Sequence, residues 1–180
     1  MSHRIRFPAW VDDVDRAVDQ AWEGLRGRPA LDRLFYGASE IGDFSVLWHL
    51  VGVSRGAMSG DRKEAVRLAL ALGAESALVN GLIKSVFRRD RPAADPAERP
   101  LHLRQPKTSS FPSGHASSAF LAAGLLAPRS RGGLAWYGVA AIVATSRIHV
   151  RIHHASDVAA GAVLGAGLAR IVNRIAPLGQ

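Results

Sequence analysis

Five apolar stretches, each about the length of a helix and none alternating like a strand, restrict what this chain can fold into. They run roughly over 34–54, 65–83, 114–127, 133–147 and 157–175. Ala, Leu, Val and Gly dominate them. A spanning helix needs about 17–25 residues to cross a ~30 Å hydrocarbon layer. Several stretches are short for that or interrupted: Glu40 and Asp43 interrupt the first, Glu75 the second, and the charge-free part of the fifth is Val158 to Ala169. The expected fold is all-α, a multi-helix transmembrane bundle of about five spanning helices. A soluble up-and-down bundle is the competing architecture, favoured by a mean hydropathy of only +0.06.

Upstream, "AWVDDVDRAVDQAWEGLR" (9–26) carries Trp10, Val14, Ala17, Val18, Ala21, Trp22 and Leu25 at helical spacing, with Asp12, Asp13, Asp15, Asp19 and Glu23 opposite. An amphipathic helix with five acids is repelled by anionic lipid, so it is expected to pack on the protein or at the interface. Residues 1–33 therefore form an amphipathic N-terminal segment and 34–180 the bundle domain. The first 33 residues never reach the ~7–15-residue apolar run of a secretion signal. Absence of cysteine excludes disulfides and cysteine zinc sites. A net charge of +8 points to polyanionic partners such as headgroups or phosphate esters. Aromatic residues are few and not interleaved with basic clusters, which argues against nucleic acid.

If the five segments cross a layer in turn, the 84–113 connection and the 148–156 turn share one face. The polar residues best suited to chemistry lie on that face. In "PSGH" (112–115), Ser113 is a helix N-cap, Gly114 allows close approach to the backbone, and His115 sits on a first turn whose unpaired N–H groups favour phosphate. In "KSVFRRDRP" (84–92), Lys84 and Arg91 can grip one phosphate from two sides. Ser76, Asn80 and Lys84 form a polar stripe at i, i+4, i+8. Arg88 and Arg89 read as a basic helix end facing anionic headgroups. Arg99, Arg104 and Lys107 add charge to the same face. In "SRIHVRIHHASD" (146–157), His153 and Asp157 are one helical turn apart, so the carboxylate can fix the tautomer and leave one ring nitrogen free to attack. Asp157 could instead simply charge the first turn of the last helix. A metal site built on His149, His153 and His154 lacks a supporting carboxylate set. Glu75, in mid-segment, reads as a carboxyl facing the bundle interior.

The order Lys-x6-Arg-Pro, Pro-Ser-Gly-His, Ser-Arg-x5-His-x3-Asp resembles the type 2 phosphatidic acid phosphatase superfamily. That superfamily also holds class A acid phosphatases and vanadium haloperoxidases. The resemblance implies a metal-independent membrane phosphatase without cofactor, acting on a lipid phosphomonoester or diphosphate. Phosphatidic acid, phosphatidylglycerol phosphate and polyprenyl phosphates all suit it. It implies His153 as nucleophile, Asp157 as its orienting group and His115 as general acid and base. Lys84, Arg91, Ser113, Gly114 and Arg147 would bind phosphate. It also implies a multi-pass protein of the cell membrane with its active face outside the cytoplasm, although members usually have six spans. Composition rich in Ala, Arg and Gly suits a high-GC bacterium, and short actinobacterial members act in polyprenyl-phosphoribose metabolism. The alternatives are a vanadium-dependent haloperoxidase and a non-catalytic protein that binds anionic lipid. Oligomeric state is not legible.

Overall fold

The computed structural model describes residues 7–93, 106 and 108–178, so Arg99, Arg104 and Lys107 lie outside the described residues. Seven helices are present among the described residues, with no β-strand. They are α1 (Ala9–Glu23), α2 (Pro29–Ile41), α3 (Val46–Ser59), α4 (Arg62–Val86), α5 (Gly114–Leu126), α6 (Leu134–His149) and α7 (Ala155–Ile175). The all-α expectation holds. The first apolar stretch, however, is not one helix. It breaks at Asp43–Ser45, a 3-10 turn in which Phe44 and Ser45 take positive φ of 52° and 57°. The acidic, glycine-containing "EIGD" lets the chain turn where a continuous apolar face would have carried it straight on.

α5 is the central helix. Ala116 to Ala119 and Leu121 to Leu126 are buried on nearly every side. It can be covered so completely because its side chains are small and α7 presents small residues at i, i+4, i+8: Gly161, Gly165 and Ala169. A Cβ on Gly161 would lie 2.4 Å from the Ser113 carbonyl oxygen, and one on Gly165 would lie 2.1 Å from that of Ser117. Only hydrogen at those positions permits this crossing. The crossing brings the N-terminal ends of α5 and α7 side by side, so the PSGH turn lies next to the 153–157 turn. The main core, around Trp48, Leu68, Leu72, Leu121, Leu126 and Val143, ties α3, α4, α5 and α6 together.

α4 and α7 are long and apolar enough to cross a membrane. Large apolar side chains such as Leu70, Leu82, Val163 and Ile171 are exposed on their outer faces. The other stretches form shorter helices, and the interrupted second and fifth stretches are the long ones.

α1 is the amphipathic helix expected, but it is rotated. Trp10 and Val14 are exposed, and the face that docks holds Val11, Asp15, Val18 and Trp22. Its end is tied down by Arg26, which donates to the carbonyls of Ile148 at 3.0 Å and His149 at 3.1 Å. Both carbonyls lie at the C-terminus of α6, where a cation is favoured.

Candidate active site

Among the described residues, Lys84, Arg91, Ser113, Gly114, His115, Arg147, His153 and Asp157 fall at one end of the bundle. Ser113 caps α5, with its Oγ accepting from the Ala116 N–H, and its own N–H donates to the Asp157 carbonyl at 3.0 Å. A Cβ on Gly114 would lie 3.8 Å from Lys84 Nζ and 3.3 Å from Asn80 Oδ1. The PSGH turn therefore sits directly against the end of α4.

The polar stripe on α4 is altered by a feature that periodicity could not show. Ala77–Ile83 is π-helical. One extra residue enters the turn, so the buried face reads Glu75, Val79, Lys84 where an unbroken α-helix would place Ile83. Ser76 and Asn80 stay outside, joined at 3.2 Å. Lys84 is thus turned inward. Glu75 is buried in the bundle as expected, with Ser117 and Lys84 as polar neighbours.

Arg91 is held by the carbonyls of Ile152 at 2.8 Å and of Thr108 and Ser109, both at 3.2 Å. The same Nη1 approaches His153 Nε2 at 3.3 Å. His153 is buried, and its N–H and that of Ile152 both donate to the Arg147 carbonyl at 3.1 Å. Burial, followed by the neighbouring Arg147 and Arg91 guanidinium groups, outweighs the pull of Asp157 and lowers the His153 pKa to about 3. The ring is neutral at physiological pH, and Nε2 offers a lone pair toward the cations.

The expected contact between His153 and Asp157 is looser than a hydrogen bond. Nδ1 lies 3.8 Å from Oδ2. Asp157 is engaged elsewhere. Its Oδ2 accepts from the His154 backbone N–H at 2.9 Å and lies 3.1 Å from His154 Nδ1, and its Oδ1 accepts from Arg89 Nη1 at 2.7 Å. The carboxylate both caps α7 and faces the histidine.

Arg147 is buried and donates through Nη1 to Ser39 Oγ. The Ser39 carbonyl lies 3.1 Å from His115 Nε2, as does Asp43 Oδ1. The two histidines are therefore linked through Arg147 and Ser39, with Lys84 and Arg91 on the same end. A cavity of about 680 Å³ opens there, lined by Asn80, Lys84, Arg88, Arg91 and Ser109 among others. Its cations suit a phosphate.

Several expectations need correction. Arg88 does face outward, but Arg89 is buried between Asp15 and Asp157 and does not face headgroups. Asp15, assigned to the outer acidic face of α1, points inward. His149 turns toward α2: it stacks on Phe35 at 4.6 Å, accepts from Trp22 Nε1 at 3.2 Å and meets Asp32 at 2.8 Å. Sequence reasoning did not find Ser39, Asp43, Asp15 or Arg89. For Asp15 and Arg89, their placement within otherwise unremarkable charged runs concealed them. For Ser39 and Asp43, the only signal was a polar interruption in an apolar stretch.

The model of the PAP2 superfamily matches residues 64–178. A decaprenylphosphoryl-5-phosphoribose phosphatase of Mycobacterium tuberculosis is 34% identical over 152 residues, covering 84% of each chain. A protein of the same description from Mycolicibacterium smegmatis is 33% identical over 157 residues, covering 86% of this chain and 82% of its own. Among solved structures, a transmembrane PAP2-type phosphatidylglycerolphosphate phosphatase from Bacillus subtilis has the same fold, with a TM-score of 0.73 at 24% identity over 96% of this chain and 90% of its own. Aquifex aeolicus LpxE gives 0.72 at 25% identity, over 96% and 99%.

Proposed function

The chain belongs to the PAP2 superfamily, and from that premise we propose that this membrane lipid phosphatase removes the terminal phosphate of a polyprenyl-linked phosphosugar, with His153 as nucleophile. The observation that carries the reading is the approach of Arg91 Nη1 to the neutral, buried Nε2 of His153 at 3.3 Å, Arg91 also lining, with Lys84 and Arg88, the neighbouring cavity. The substrate class follows from the 34% identity to the mycobacterial decaprenylphosphoryl-5-phosphoribose phosphatase.

Lys84, Arg91 and Arg147, with the Ser113–Gly114 turn, hold the phosphoryl oxygens and stabilise the charge that builds on them. The His153 Nε2 lone pair forms the N–P bond while the P–O bond to the sugar breaks. His115 supplies the proton to the leaving alkoxide. Water then attacks phosphorus, His115 takes its proton, the P–N bond breaks, and inorganic phosphate and free His153 return. Asp157 orients His153 and balances the positive ring formed in the intermediate. Asp43, on His115 Nε2, has the same relation to the second histidine.

The test is phosphate release by the purified protein, in detergent with EDTA, from three substrates: decaprenylphosphoryl-5-phosphoribose, phosphatidylglycerol phosphate and phosphatidic acid. Highest kcat/KM on the first is expected. A preference for either glycerophospholipid overturns the substrate assignment, and loss of turnover on chelation overturns the metal-independent chemistry.

A further inference from the structure

Helix α1 precedes the region that matches the superfamily model, yet one of its carboxylates reaches the catalytic end. Asp15 Oδ2 accepts from Arg89 Nη2 at 2.7 Å and from Ser156 Oγ at 2.7 Å, and its Oδ1 accepts from the Ser156 N–H at 2.8 Å. Arg89 spends its other Nη on Asp157 Oδ1 and on Ser156 Oγ, both at 2.7 Å. Phe7 covers the guanidinium face, 4.5 Å from the ring centroid. Side-chain exposures of 4% for Asp15, 9% for Arg89 and 0% for Asp157 put the trio out of reach of solvent screening.

We propose that Asp15 is a positioning residue for the phosphatase reaction: by sharing the Arg89 guanidinium with Asp157, α1 holds Asp157 in place without neutralising it. The proposal rests on the reading of His153 and Asp157 given above. One cation between two buried carboxylates leaves net negative charge on the pair, and that charge faces His153. With Asp15 neutral, Asp157 is the one buried carboxylate left on Arg89, beside the half-exposed Asp12 at 3.3 Å. The carboxylate is then more fully compensated and less able to stabilise the positive histidine formed during phosphoryl transfer. Asp15 also accepts the N–H and hydroxyl of Ser156, beside Asp157 on the first turn of α7, and so fixes the turn from which Asp157 projects. The phosphate-binding cations are not part of the trio.

Steady-state kinetics of the full chain on its best lipid phosphate substrate test this, with inorganic vanadate as a probe of the empty phosphate site. Asp15→Asn keeps size and most hydrogen bonds and is expected to lower kcat about 10–100-fold, the usual scale for a partner one shell out. KM and vanadate inhibition should change less than about 3-fold. Arg89→Lys should lower kcat as well, and the double variant should lose less than the product of the two single losses, because the residues act as a unit. Wild-type kcat in Asp15→Asn overturns the proposal, as do strictly multiplicative losses. If Asp15→Asn does not fold, Ser156→Ala reads the same link, and unchanged kcat there overturns it. A wild-type protein that releases phosphate from no lipid phosphate overturns instead the reading on which the proposal rests.

Discussion

At the scale of single residues, chemistry depends on which charges share a buried volume. Lys84, Arg91 and Arg147 lie close enough at one end to act on one another, with Glu75 and Asp157 as the carboxylates whose charge reaches Lys84. His153→Ala should abolish turnover to the background left by phosphate binding. His115→Ala should cost about 10²–10⁴-fold and, because it removes the base for the second half-reaction, should let a phosphorylated protein accumulate in rapid-quench labelling. That species must be missing in His153→Ala. The low pKa of His153, about 3, carries a second expectation. A folded value below the ordinary ~6.5 means that the unfolded chain takes up a proton first as pH falls. The stability contribution is therefore present above ~6.5 and lost between there and about 3. Melting temperature should drop on going from pH 7.5 to 5, and a His153→Gln variant should show a shallower drop.

At the scale of elements, two backbone features do what no single side chain could. The π-helical Ala77–Ile83 places Lys84 on the buried face, and the Gly161–Gly165 crossing sets the 112–115 and 153–157 turns against each other. Gly165→Ala drives a methyl into the Ser117 carbonyl and should destabilise by about 1–3 kcal/mol, with loss of activity from misplacement of Ser113 and His115. Gly167, two residues on, has nothing within 4 Å of an added Cβ. Gly167→Ala should therefore gain up to ~1 kcal/mol of helix propensity. Thermal unfolding of both variants in the same detergent decides the matter: equal effects would remove the crossing argument.

At the scale of the whole molecule, the connections from α3 onward alternate between two ends, and the candidate site lies at one of them. The opposite end is held by a separate polar group: Arg55 on Glu64 at 3.1 Å and on Ser130 at 3.0 Å, and Arg129 on Asp61 at 3.1 Å. An active end outside the cytoplasm predicts that a single cysteine at Ser85, in a chain that has no other cysteine, reacts with a membrane-impermeant maleimide on intact cells. One at Ser59 should react only after permeabilisation. The reverse pattern would invert the orientation.

The motifs were legible because phosphate chemistry demands particular residue types at particular spacings, and spacing is a property of the chain. The residues of the candidate site, Lys84, Arg91, Ser113, Gly114, His115, Arg147, His153 and Asp157, were proposed from it, and the helical, apolar character of the bundle was legible too. Legibility ended where partners come from distant elements. The inward turn of Asp15, the burial of Arg89, the meeting of Ser39 and Asp43 with His115, and the break between α2 and α3 all depend on which helix lies alongside which. A charged residue carries the same local signature whether it meets water or a buried counter-charge; only the packed helices decide which it finds.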